Sequence, residues 1–271
     1  MIKDITLGQF FPGDSIIHRL DPRFKILLII AYIVFLFVTF NFYSLIFMTA
    51  VVLGVILLTK IPLKMYFKGL KSIIFILIFT SVLNIFYGTG EPIWQWGFLK
   101  ITWSGINNAI FVSIRIIALI LISCVLTYTT SPTDLTDALE RLMKPLGIFH
   151  IKVHEIAMMM SIALRFVPTL LEETDKIMSA QKARGANMDS GNIIQKLRAM
   201  VAVLVPLFVS AFNRAYELAV AMECRCYRGG KGRTRLKVLH ATGKDIIAVA
   251  VSVAVLAGVI LCNVMFGTIQ R

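Results

Sequence analysis

Three observations predict an all-α polytopic membrane protein with about five full transmembrane helices and further amphipathic coupling helices on the cytoplasmic side. Hydrophobic residues make up 58% of the 271-residue chain and its mean hydropathy is +0.81, beyond the usual apolar share of soluble domains. The apolar residues gather in runs that, with their flanks, are long enough to cross a hydrocarbon core about 30 Å thick. The net charge of +13 sits in Lys and Arg clusters beside those runs, as the positive-inside bias requires. That distribution points to membrane lipid as a partner and away from nucleic acid.

In chain order, Met1 to Lys25 reads as a soluble leader without a cleavable signal. It ends in the basic HRLDPRFK block, broken by Pro22, and is expected to stay in the cytoplasm. Ile26 to Phe40 is the first span, Asn41 to Ser44 turns the chain, and Leu45 to Thr59 crosses back. The return delivers Lys60, Lys64, Lys68 and Lys71 to the side where the leader began. A third span runs from about Ser72 to Tyr87. The weakly charged loop from Gly88 to Thr102, with Trp103 just after it, then brings Trp94, Trp96 and Trp103 together as an outer interfacial belt would. Gly105 to Tyr128 is the fourth span and carries Arg115. An arginine at that depth either snorkels to the outer interface or contacts another helix or a partner.

From Ser131 the pattern changes. Ser131, Pro132 and Thr133 start a helix, and Asp134 to Gly147 is amphipathic, suited to lie across the inner surface. Ile151 to Gly185 mixes apolar runs with charges such as Lys152, Glu155, Arg165, Glu172, Glu173 and Lys182, too many to span lipid comfortably. It is expected to lie along or dip from the inner face, bent near Pro168. Asn192 to Arg228 repeats the scheme, with an apolar middle, Pro206, and then Arg214, Glu217, Glu223 and Arg225. Lys231 to Lys237 is a basic loop, and about Asp245 to Phe266 is the fifth span, leaving the carboxyl terminus outside. The chain thus divides into a leader and four-span region (1–130), a cytoplasmic coupling region (131–243) and a last helix (244–271).

Two short stretches organise the rest. Ser179 to Ala186 (SAQKARGA) and Ala221 to Gly230 (AMECRCYRGG) each place an arginine at the end of a long helical run. Gly185 follows Arg184 directly, and Gly is the residue that most easily adopts the left-handed turn closing a helix. Gly229 and Gly230 follow Arg225 by a further turn. Each arginine also lies downstream of a proline, Pro168 or Pro206, which would begin helices about 24 and 28 Å long. This is a weak internal duplication. Taken singly, an arginine before a glycine is a helix stop with the cation at the negative dipole end. A pair of such ends in one membrane protein suggests two similar docking points, and an arginine fork grips a carboxylate while keeping its charge near pH 7.

Catalytic signals are absent. GGKGRTR (Gly229 to Arg235) lacks phosphate-loop spacing, and His150 and His154, four apart on one prospective helix face, have no third ligand. Cys124 and Cys262 lie inside apolar spans, while Cys224 and Cys226 are too close for an ordinary disulfide. The methionines at 143, 158, 159, 160, 178 and 200 read as packing, or as a surface adaptable to different partners.

The leader's GQFFPGDSIIHRLDPRFK, the LRFVP block (Leu164 to Pro168) and the two arginine stretches together resemble the transmembrane T component of energy-coupling factor transporters. That component is the scaffold of ATP-driven vitamin and micronutrient importers, and the resemblance covers nearly the whole chain. Ala183, Arg184 and Gly185 match the family's Ala-Arg-Gly motif; Cys224, Arg225 and Cys226 keep only the central arginine. The resemblance implies that these two triplets bind two ABC-type ATPase subunits. It also implies a separate substrate-binding S component, with Arg115, Arg165, Pro168 and Pro206 as candidates for contacts to it or between helices. ATP and Mg would belong to the ATPases, with no cofactor on this chain. The alternative is a secondary transporter or channel, for which Asn84 and Arg115 are the only polar pointers.

Overall fold

The computed structural model describes residues 10–39, 41–86, 92–96, 99–186, 192–230 and 241–265. The basic 231–237 segment and the carboxyl-terminal residues after Met265 lie outside them. The chain forms two compact units: residues 9–135 together with 238–271, and residues 136–237.

The first unit contains α1 (Pro22–Val38), α2 (Phe42–Thr59), α3 (Leu63–Lys71), α4 (Ile74–Phe86), α5 (Trp103–Thr129) and α9 (Gly243–Met265). The 27-residue α5 is its axis, packing against α1, α2, α3 and α4. Leu36, Leu45, Met48, Val52, Ala118 and Val259 are the innermost residues of the core. The opposite faces expose Leu27, Ile30, Phe37, Leu53, Leu57, Phe75 and Phe79, which suits helices surrounded by lipid. In lipid, apolar burial supplies no hydrophobic drive, so close packing and polar joints hold such helices together.

Several of those joints gather where α1 and α9 begin and α5 ends. Asp21 is the N-cap of α1: its carboxylate accepts from the Arg23 amide at 2.9 Å, and Pro22 fills the first helical position, where its missing N–H costs nothing. Pro22 therefore starts a helix rather than breaking a leader. Asp245 is fully buried and accepts from the Asp21 amide (2.8 Å), the Thr242 amide (2.6 Å) and the Thr242 hydroxyl (2.8 Å), tying the start of α9 to that of α1. Residues 10–25 are not a free leader either. The Phe11 amide donates to the Tyr128 carbonyl at 2.9 Å, and the buried Lys25 ammonium donates to the carbonyls of His18 (3.2 Å) and Thr129 (3.0 Å). Burial holds His18 below its ordinary pKa; as neutral imidazole its Nε2–H donates to the Phe11 carbonyl and Nδ1 accepts from Ser15.

One expectation about the outer region changes. Where a loop was expected, Pro92–Trp96 (β1) and Leu99–Thr102 (β2) pair as a short antiparallel hairpin. The expected third span is α4, and the lysine-bearing stretch before it forms a separate amphipathic helix, α3, which meets α4 at 60° across Ser72 and Ile73.

The second unit contains most of α6 (Pro132–Met143), a 3-10 turn (Lys144–Phe149), α7 (Val153–Ala183) and α8 (Ile193–Cys224). Pro145 tightens the end of α6 into the 3-10 turn, which stops at His150 in a left-handed conformation. His150 and His154 therefore do not share a helix. Both α7 and α8 run unbroken through their prolines, so the segments after Pro168 and Pro206 are the second halves of single helices.

Five helices among the described residues are long and apolar enough to cross a membrane: α2, α5, α7, α8 and α9. The number matches expectation, but the members differ. Helix α7 qualifies because its charges lie near its ends, leaving Arg165 alone between Ile156 and Leu171. Helix α1 has 17 residues, about 26 Å, and is just short of a full crossing by itself.

Candidate functional site

The two arginine stretches end in the same local structure. At the first, Arg184 is the C-cap of α7, Gly185 takes φ +89°, the Gly185 amide bonds the Lys182 carbonyl (3.0 Å) and the Ala186 amide reaches the Gln181 carbonyl (3.0 Å). At the second, Arg225 is the C-cap of α8, Cys226 takes φ +56°, its amide bonds the Glu223 carbonyl (2.8 Å) and the Tyr227 amide reaches the Met222 carbonyl (3.0 Å). These are corresponding bonds of one left-handed helix cap, position for position. The second end thus closes at Cys226, one residue after the arginine, rather than at Gly229 and Gly230. Ala183, Cys224 and both arginines are exposed.

Helices α7 and α8 pair antiparallel. Gln181 meets Ala202, Glu173 meets Ser210 and Arg214, and an apolar cleft of about 260 Å³ sets Ile162 and Phe166 beside Leu218 and Met222. Arg184 consequently lies beside the first turns of α8, and Arg225 beside the first turns of α7, roughly 40 Å away along the pair. One braced element presents the same arginine cap at both of its ends.

Two polar braces hold that register. Arg214 Nη2 and Nε both donate to Glu173 Oε2, at 3.0 and 3.2 Å, while the Ser210 hydroxyl donates to Glu173 Oε1. Gln181 Nε2 donates to the Ala202 carbonyl at 3.2 Å. Ala202 is four residues before Pro206, so its carbonyl is the one that the proline leaves without an N–H inside the helix. Pro206 opens an acceptor on α8, and a side chain three residues before Arg184 fills it.

The remaining candidates sit elsewhere. Arg165 and Pro168 are exposed on α7. Arg115, in the first unit, donates from Nη2 to the Thr39 carbonyl at the end of α1 (2.6 Å) and lies 4.6 Å from the Phe111 ring centre. The Glu173–Arg214 and Asp245–Asp21 joints were not singled out from sequence. TGKD (Thr242 to Asp245) has the Thr-x-x-Asp spacing of a helix start, a signal that could have found the second.

A family model described as cobalt transport protein (CbiQ) matches residues 13–236. A protein of Ruminiclostridium cellulolyticum named energy-coupling factor transporter transmembrane protein EcfT is 50% identical over 98% of this chain and all of its own length. Proteins of the same name from Clostridium kluyveri (50%, over 98% of this chain and all of the relative) and Bacillus subtilis (47%, over 96% and 98%) are similar along their lengths. The chain belongs to the CbiQ/EcfT family. It is a multi-pass membrane protein and the T component of an energy-coupling factor transporter. Both arginine caps of this T component fall within the residues that the family model covers.

Proposed function

We propose that this T component is the coupling scaffold of an ATP-driven importer, with Arg184 and Arg225 each entering a groove on one of two ABC-type ATPase subunits. The observation that carries the reading is the pairing of two like caps at opposite ends of a single braced helix pair, since two similar ATPases present two similar grooves. Ala183, Gly185, Cys224 and Cys226 form the cap around each arginine. The exposed apolar residues of α8, among them Ile193, Leu197, Val201, Phe208 and Phe212, support a hydrophobic membrane partner, in this reading the S component that binds a vitamin or micronutrient. ATP and Mg are held by the ATPases; this chain supplies position and charge and does no hydrolysis. In this reading the α7–α8 pair lies along the cytoplasmic face and does not cross the membrane, so that both arginine ends and the amino terminus are cytoplasmic, and the carboxyl terminus lies outside.

The test is site-directed photocrosslinking in the assembled complex, with a photoreactive residue at position 183 or 224. Each position is expected to capture one ATPase subunit, and the two together to capture two. Crosslinks from either position only to lipid or to the substrate-binding subunit would refute the assignment.

A further inference from the structure

Beyond Cys226 the chain doubles back on itself. Gly229 takes φ +87°, and the next residue, Gly230, rests against the imidazole of His154 in the first turn of α7. A Cβ placed on Gly230 would lie 2.7 Å from His154 Cγ, closer than folded chains permit, and 3.2 Å from its Cβ. The imidazole is 37% exposed and is held on its inner side. Its Nδ1 is 3.0 Å from Glu140 Oε1 of α6, a carboxylate only 14% exposed, and its Nε2 is buried.

We infer that Gly230, His154 and Glu140 form a latch that fixes the pose of the Arg225 cap against the base of α7 and the end of α6. The inference rests on the reading that Arg225 enters an ATPase groove. The three residues are positioning residues: they hold the four-residue return from Cys226 to Gly230, and through it the direction in which Arg225 leaves the helix. A load applied to Arg225 then passes into α6 and α7 as well as along α8. The Arg184 cap is tied to α8 through the Gln181 brace.

The test is a set of binding cycles on the detergent-solubilised complex, reading the affinity of the ATPase subunits for the T component. Gly230→Ala should weaken binding about tenfold, within the range for a misdirected charge contact. His154→Ala alone, which removes the latch's central ring, should weaken binding about threefold, and adding it to Gly230→Ala, where it also removes the ring that the new methyl strikes, should recover affinity to that same threefold loss. Gly230→Ala should add almost nothing to Arg225→Ala, whose contact is already gone, yet multiply the loss caused by Arg184→Ala. A mere folding defect would multiply both losses alike and would not be relieved by His154→Ala. Wild-type affinity in Gly230→Ala, equal multiplication with both arginine variants, or no rescue by His154→Ala overturns the latch. Should Arg225→Ala itself leave affinity unchanged, the docking assignment fails first, and the latch with it.

Discussion

The Arg184 and Arg225 ends share one cap but are built from different materials. At the first, glycine occupies the left-handed position, where it carries no steric penalty; at the second, Cys226 occupies it, at a cost of about 1–2 kcal/mol for an L residue. The first end is braced through a side chain, Gln181, into a carbonyl freed by Pro206. The second is held by backbone, with Gly230 against His154. The bond pattern of the cap is what the two have in common, and the residues that enforce it are free to differ as long as the arginine ends in the same place. The strained cap at Cys226 has outside support where the chain after it folds back onto His154.

The largest effect should come from the brace common to both ends. Glu173→Ala removes the acceptor for Arg214 and Ser210 and leaves a half-buried guanidinium facing an apolar cleft, costing about 2 kcal/mol. Thermal unfolding in detergent, together with a spin-label distance between α7 and α8, should register a lower midpoint and a broader distance distribution. An unchanged distribution would mean that packing alone sets the register.

A smaller effect separates the two caps by sign. Gly185→Ala should destabilise the Arg184 end by about 1 kcal/mol, whereas Cys226→Gly should tighten the Arg225 end by a similar amount or less. Hydrogen exchange of the Ala186 and Tyr227 amides reads each cap separately. Slower exchange in both variants, or faster exchange in both, would contradict the shared geometry.

Smaller still is the link between Gln181 and Pro206. Gln181→Leu should cost about 0.5 kcal/mol by leaving the Ala202 carbonyl without a donor. In a Pro206→Ala background, residue 206 regains an N–H for that carbonyl, and the same change should become nearly neutral. If Gln181→Leu costs as much there as in wild type, the proline has no part in the brace.

These features differ in how far the sequence announces them. Apolar runs flanked by lysines announce α1, α2, α5 and α9 directly, since burial in lipid is a matter of composition. The spanning capacity of α7 is hidden, because counting its charges over the whole segment obscures how they cluster near its ends. Arg184 and Arg225 stand out as residues, and the resemblance to the T component names them. Their equivalence as caps does not stand out, because a left-handed Cys226 leaves no compositional mark and the nearby Gly229 and Gly230 draw attention one turn too far. Glu173 is one charge among several in its segment; its partner is 41 residues away, and only the antiparallel register of α7 and α8 brings them together. The Asp245 joint likewise depends on α9 returning to α1, although local capping patterns at Asp21 and Thr242 mark both ends.

The central claim is that the two caps together hold the ATPases, and the double variant Arg184→Ala/Arg225→Ala tests it most directly. Each lost charge contact in a desolvated groove should cost on the order of 2–5 kcal/mol, so either single variant keeps a tether while the double variant loses both. Affinity capture of the solubilised complex, paired with ATP-driven uptake in vesicles, should find reduced uptake with the ATPases still bound in each single variant. The double variant should lose the ATPases and uptake, with the T component still folded. A double variant that retains stoichiometric ATPases and full uptake would contradict the coupling role of the two arginine ends.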